Sequence, residues 1–281
     1  MSKQNQLSPS EILTHTTTRI KGDLPSNKVS VGTGFFFAFK IKEKQVPVII
    51  TNKHVIEGCK NLTFTINEAD ENGNRKNEKH LNGILQQDDM KKFIVFHPDE
   101  SIDLCAIPIG SVLNNVVTVR KKAYLKWLDA SLIPTAEEWS SFSAIEEITM
   151  IGYPNGIWDE KNNLPVTRRG ITATHPRIDY DGKSEFLTDT AVFPGSSGSP
   201  VYLFNQGSYA TDKGITMGSR LKLLGINYAV YTYTAEGDIT IKKTPTTAKP
   251  VTKTEVPINL GVIIKSTKIL EFEPLIQKLL V

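Results

Sequence analysis

The sequence predicts an all-β protein of two β units with a short helix at each end. Three observations carry this. Short runs rich in Val, Ile, Thr, Phe and Tyr recur along the chain, bounded by Gly, Pro, Asn and Asp. One helical interruption divides them into two groups, and helix-like signals stand only there and at the two ends. At 281 residues the chain is long enough to bury a large core without disulfide staples.

Taken in order, "SPSEILTHTTTRI" sets Ser8 and Glu11 at capping-box spacing with Pro9 at the first helical position, so a helix opens the chain. Strand-like runs follow: "VSVGTGFFFAFKI", "VPVIITN", "LTFTI", "FIVFH" and "IDLCAIPI". In "WLDASLIPTAEEWSSF", Thr135 and Glu138 repeat the capping-box spacing. The division falls near residue 125, giving units 1–125 and 126–281 that together make one domain. The second group is "EITMIGYP", "RRGITAT", "EFLTDTAVF", "SPVYLF", "LKLLGINYAVYTYT" and "INLGVIIKS", and "TKILEFEPLIQKLLV" has the apolar spacing of a C-terminal helix. Three polar stretches read as exposed loops: "NEADENGNRKNEKH", "NQGSYATDKGITMGSR" and residues 237–257, the last rich in Thr, Pro and Lys and expected to be mobile.

Composition excludes several classes of function. A net charge of +3, from 33 basic and 30 acidic residues, lacks the basic excess of a nucleic-acid binder. Lys242, Lys243, Lys249 and Lys253 have no interleaved aromatics and read as a solvated loop, so no nucleic-acid partner is expected. No run is long enough to span a membrane and the N-terminus has no signal-peptide core, so no membrane partner and a cytoplasmic location are expected. Two reduced thiols fit that compartment: Cys105 lies in an apolar run, while Cys59 reads as a turn residue in the polar "EGCKN". The histidines and cysteines show no ligand-like spacing, so neither metal nor cofactor is expected.

All five histidines precede Ser197, so no Ser-acid-His order can be built on that serine, and Ser199 stands where a nucleophile elbow needs Gly. The order His, Asp, Ser remains open. His54 follows the apolar strand "VIITN", and Asp103 enters "LCAIPI", where a buried charge needs a partner such as an imidazole N–H. "FPGSSGSPVY" places Ser197 in a turn rich in Gly and Ser ahead of a strand.

"TNKHVI", "SIDLCAIPI" and "FPGSSGSPVY", in this order, resemble the three blocks of trypsin-like serine proteases, closest to the bacterial HtrA-type branch. "GTGFFF", "IGYP" and "LTDTAVFPGSSGSP" resemble further segments of that family, from about residue 15 to 270. The resemblance implies a chymotrypsin-like fold of two six-stranded antiparallel β-barrels. It also implies a triad of His54 as base, Asp103 as orienting acid and Ser197 as nucleophile. The oxyanion hole falls in the Gly195, Ser196 and Ser197 turn, with Gly195 and Ser197 as the N–H donors. Gly225, Ile226, Asn227 and Tyr228 correspond to the strand that pairs with an extended peptide substrate. The primary pocket floor falls at Ala191, flanked by Thr190 and Val192, with Asp189 as the nearby rival. An uncharged floor implies cleavage after small or medium apolar residues. Two departures stand out. Ser196 replaces the acid that animal trypsin-like proteases pair with a new N-terminus, and too few residues follow the last strand for the PDZ domain usual in HtrA-type enzymes.

The expected function is therefore a serine endopeptidase acting on protein or peptide substrates, with a regulatory partner protein or narrow specificity restraining it. The competing expectation is a catalytically silent protease-fold binding or sensor module.

Overall fold

In the computed structural model, which describes residues 7–110, 112–113, 121–211, 214–238 and 251–279, the chain opens with the capped helix expected of it. The Glu11 N–H donates to Ser8 Oγ at 3.3 Å and the Ser8 N–H donates to the Glu11 carboxylate at 2.7 Å, closing the box over α1 (Pro9–Thr14).

The first half is one nine-stranded sheet. Its strands are β1 (Thr17–Asp23), β2 (Val29–Ile41), β3 (Lys44–Thr51), β4 (Asn61–Ala69), β5 (Arg75–Gln86), β6 (Val95–Phe96), β7 (Cys105–Pro108), β8 (Lys122–Tyr124) and β9 (Leu128–Asp129). They run in the order β5-β4-β1-β2-β3-β7-β6, with β8 added to β4 and β9 parallel to β2. Helix α2 (Lys53–Ile56) leaves the end of β3, and α3 (Gln87–Phe93) leaves the end of β5. Among the described residues this path stays open where the resemblance implied a closed six-stranded barrel. The two ends explain why. β5 exposes its charged Lys76, Glu78 and Lys79 and β6 is two residues long, so one end is a polar edge and the other offers almost no ladder to pair.

The second half does close. Helix α4 (Ala136–Ser141), boxed by Thr135 and Glu138, precedes β10 (Glu147–Gly152), β11 (Val166–Thr172), β12 (Glu185–Asp189), β13 (Pro200–Asn205), β14 (Ser208–Thr211), β15 (Gly214–Met217), β16 (Arg220–Asp238) and β17 (Val251–Lys265). Six of these form the closed barrel β10-β11-β12-β17-β16-β13, while β14 and β15 make a separate hairpin. Helices α5 (Thr267–Leu270) and α6 (Glu273–Leu279) end the described chain.

Much of what is described of the three expected loops is strand. The first shrinks to a turn between β4 and β5, and the second is the β14–β15 hairpin. In the third, the described residues continue the β16–β17 ladder out to Asp238 paired with Val251. Polar residues can satisfy their backbone by cross-strand pairing without burying side chains. Residues 239–250, with Lys242, Lys243 and Lys249, lie outside the described residues.

β2 is apolar on both faces, which is why "FFFAF" does not alternate. Phe35, Phe37 and Phe39 pack into a cluster shared with Tyr202, Leu223 and Ile264 of the barrel and with Phe272 and Ile276 at the C-terminal end. Phe36 faces the first sheet's own core with Ile20, Ile49, Leu62 and Phe64. Trp139, Met150, Phe186 and Leu203 fill the barrel. Cys59 belongs to the first sheet's core and is no exposed turn residue: it packs where Gly22 of β1 leaves room for sulfur. Both thiols are free and buried. No helix among the described residues is long and apolar enough to cross a membrane.

His15 is buried at the end of α1, edge-on to Tyr124 with centroids 5.4 Å apart. Burial first, then the charges of Arg75 and Lys126, push its imidazole down from the usual 6.5 to about 4. Between those values the unfolded chain binds a proton that the folded chain refuses. His15 therefore adds stability above about pH 6.5, and this is lost as pH falls toward 4. Denaturant unfolding across that window should show this slope, and His15→Phe should flatten it; an unchanged slope in the variant would assign it elsewhere.

Candidate active site

Two paired strands bring the first two site residues together. β3 and β7 pair with Thr51 opposite Cys105, so His54, just past β3, meets Asp103, just before β7. Buried Asn52 donates from Nδ2 to the Asp103 carbonyl at 2.8 Å and fixes that backbone. The His54 N–H donates to Asp103 Oδ1 at 3.2 Å, and His54 Nδ1 lies 2.5 Å from Oδ2. Burial alone would raise the Asp103 carboxyl. The His54 ring contact and charge, with the backbone N–H groups of His54 and Lys53, outweigh it and hold the carboxyl below its usual value. An ionised Asp103 keeps the proton on Nδ1 and leaves the Nε2 lone pair of a neutral His54 available. The imidazole is 44% exposed against 23% for the carboxylate, so the pair presents its ring to solvent. Beside it lies a cleft of about 690 Å³ with Ile56, Met90, Ile94 and Phe96 on its apolar side.

The stretch before Ser197 is a tight turn. The Ser196 N–H donates to Phe193 O at 2.9 Å across Pro194 and Gly195, and Gly195 has φ +86°. Proline second and a positive φ third are the signature of a type II turn. A Cβ at Gly195 would stand 2.5 Å from Tyr153 O, so only glycine fits. The Asn155 N–H donates to Pro194 O at 2.5 Å. Because the peptide unit is planar and trans, this turns the Gly195 N–H to the opposite side, away from Asn155. Neither Gly195 nor Ser197 spends its N–H on a described hydrogen bond, whereas the Ser196 N–H is taken by Phe193.

Strand β2 holds the same turn from the other side. The Thr33 N–H donates to Ser197 O at 2.8 Å and Thr33 Oγ1 donates to Gly195 O at 2.9 Å. Oγ1 also accepts from the Tyr153 N–H at 3.1 Å and from Ser199 Oγ at 3.3 Å, which exhausts a hydroxyl. Gly198, at φ +84°, passes so close that a Cβ would overlap the Thr33 carbonyl. Ser197 itself is half-buried, and its Oγ makes no hydrogen bond to His54 among the described ones.

The remaining sequence candidates fall differently. Ala191 is half-buried and its carbonyl accepts from Arg168 at 2.7 Å. Val192, three residues past the end of β12, packs in the barrel core next to Gly261. Asp189 is exposed. Gly225 and Ile226 are paired on both edges, with β13 and β17, and the Asn227 N–H and C=O are engaged by Ser199 and Gly198. Their backbones are therefore not open to a new strand. The β13 ladder stops at Pro200 opposite Ile226, so beyond Asn227 the β16 edge, starting at Tyr228, is paired with β17 alone. Tyr228 OH donates to Glu185 at 2.9 Å.

The trypsin-like peptidase domain model matches residues 32–209, more than half of the chain. The chain belongs to the trypsin-like peptidase family. Its chymotrypsin-like fold is similar to that of the HtrA-type protease AlgW with tripeptide: TM-score 0.50, 15% identity, 94% of this chain and 61% of that one covered. The chain thus spans less than two thirds of that protein. A thermostable serine protease from an extremophilic microorganism aligns at TM-score 0.47 and 13% identity, over 94% of this chain and 98% of that one. No curated protein sequence matches the chain.

Within this family fold, three residues that sequence reasoning missed hold the turn: Thr33, Asn155 and Arg168. Thr33 had a signal in the glycines on either side of it, and Asn155 had one in "YPNG". Arg168, in "TRRGIT", reads as a solvent-facing strand residue. Thr33→Val keeps the shape but strips partners from Gly195 O, the Tyr153 N–H and Ser199 Oγ. It should cost on the order of 2 kcal/mol or more in chemical denaturation. A change within about 0.5 kcal/mol would remove Thr33 from this role.

Proposed function

We propose that this chain is a serine endopeptidase, hydrolysing peptide bonds of protein substrates through Ser197, His54 and Asp103. The observation that carries the reading is the His54–Asp103 pair, held by ring and backbone together, in a chain whose Ser197 turn keeps two N–H groups unspent. In the first step Ser197 Oγ attacks the substrate carbonyl carbon while His54 Nε2 takes its proton. The carbonyl oxygen becomes an oxyanion facing the Gly195 and Ser197 N–H groups. His54 then protonates the leaving amine, the acyl-enzyme remains on Ser197, and water repeats the sequence to release the acid. No step calls for a metal or cofactor.

The second reading, a silent binding or sensor module, draws on one observation: Ser197 Oγ has no described hydrogen bond to His54. Catalytic hydrogen bonds often tighten only when substrate is bound, which favours the first reading. A fluorophosphonate probe separates the two, since only an activated Ser197 takes the label.

For the substrate, we propose an extended peptide added to the free β16 edge from Tyr228 onward; AlgW, of similar fold, is described with a tripeptide. We further propose cleavage after small or medium apolar residues. Ala191 brings no charge, Asp189 is exposed, and the Arg168 guanidinium on the Ala191 carbonyl disfavours a second cation. Units 1–125 and 126–281 acting as one protease domain, a cytoplasmic location and restraint by a partner protein belong to the same proposal.

Ser197→Ala or His54→Ala should lower turnover on the order of 10⁴-fold or more with the fold kept, and Asp103→Asn by several orders of magnitude through the wrong tautomer. Ser199→Ala should keep measurable turnover, since that hydroxyl bonds Thr33. Near-normal cleavage by Ser197→Ala would refute the assignment. A peptide-library profile should be led by aliphatic residues before the scissile bond, with selectivity among them of only about 1–3 kcal/mol per methylene. A profile led by Lys or Arg would sink the pocket reading.

A further inference from the structure

We propose that Arg168 is a built-in positioning residue, a fixed internal cation that holds the Phe193–Ser197 turn in the shape that presents the Gly195 and Ser197 N–H groups. The argument begins with where its side chain goes. Arg168 lies on β11, opposite Met150, a core residue of the barrel. Its Nη1 donates to Ala191 O at 2.7 Å and to Ser196 Oγ at 2.8 Å. One nitrogen therefore ties the residue entering the turn to the residue closing it. The Phe193 N–H also donates to Ser196 Oγ, at 3.3 Å, and the Ser196 N–H returns to Phe193 O, so the guanidinium grips a hydroxyl that is itself a corner of the turn.

Fold stability does not explain the arrangement. Arg168 Nε and Nη2 are buried with no hydrogen-bond partner, and no carboxylate among the described residues forms an ion pair with it. Burial pushes the guanidinium down to about 10, because the site solvates its charge poorly. Arg168 is half-buried, and a cation whose Nε and Nη2 are enclosed without partners carries a desolvation cost that an apolar side chain would not. Costly groups of this kind are kept where a site needs them. What the chain gains is a clamp on the inner face of the turn, facing the Asn155 and Thr33 contacts on its other sides. Donors from four residues, Arg168, Asn155, Thr33 and Asn227, whose Nδ2 donates to Ser196 O at 3.3 Å, then fix a segment that has only one internal backbone hydrogen bond, between Ser196 and Phe193.

The claim depends on the protease reading for its catalytic consequence alone, and the test keeps the two apart. Arg168→Met removes the cation and keeps an unbranched stem. Amide hydrogen exchange should then quicken at Phe193 and Ser196, by about tenfold or more, with Met150, Ile151 and Leu203 of the barrel unchanged. The thermal midpoint should stay level or rise. In peptide hydrolysis kcat should fall about 100-fold with KM little changed, the mark of losing oxyanion stabilisation and not substrate binding. If Arg168→Met does not fold, Arg168→Gln, polar but shorter and uncharged, weakens both donations without touching the Phe193–Ser196 hydrogen bonds and should quicken exchange at Phe193 and Ser196. Unchanged exchange at the turn overturns the proposal whatever the activity. Quickened exchange in a chain whose wild-type form cleaves no peptide and takes no fluorophosphonate supports the clamp and fails the protease reading instead.

Discussion

Everything at this site depends on the contact between Thr33 of β2 and the turn that carries Ser197. Thr33 lies in the sheet that delivers His54 and Asp103, and its N–H and hydroxyl reach Ser197 O and Gly195 O in the other half of the molecule. The contact is possible because Gly198 has no side chain at the point where the two backbones meet. Behind it, Phe35 and Phe37 pack against barrel residues, so apolar burial supplies the attraction between halves and Thr33 supplies the register. A hydroxyl with all its hydrogen-bonding capacity used tolerates no sliding of one half over the other.

The second constraint is the orientation of a single peptide plane. Pro194 and Gly195 can adopt more than one turn, and the two forms point the Gly195 N–H in opposite directions. Asn155 decides between them by occupying Pro194 O. Asn155 can do so because it takes φ +50° in "YPNG", a conformation that asparagine tolerates better than most residues. Donors fixed before substrate arrives need no reorganisation during reaction, which is where this kind of stabilisation gets its size. The Arg168 clamp belongs to the same logic, with a buried charge spent on shape. The His54–Asp103 pair is set by different means, a strand pairing and the Asn52 tether, and Thr33 relates it to the Ser197 turn.

The sequence by itself determined the local features and the family. Capping boxes at Ser8 and Thr135, the strand runs and the ordered blocks around His54, Asp103 and Ser197 are written in nearest-neighbour chemistry, where a side chain meets its own backbone or a fixed pattern of apolar residues. Tertiary structure alone decided what depends on partners distant in the chain. It turned described parts of three polar stretches into paired strands, because backbone pairing does not require apolar side chains. It left the first sheet open at charged β5, buried Cys59 against Gly22, and moved the free edge of β16 past Asn227, where β13 ends. It also set Arg168 inside the barrel wall, although "TRRGIT" looks like exposed strand. Alternation assigns a residue to one face of a strand, and only closure of the barrel decides what that face meets.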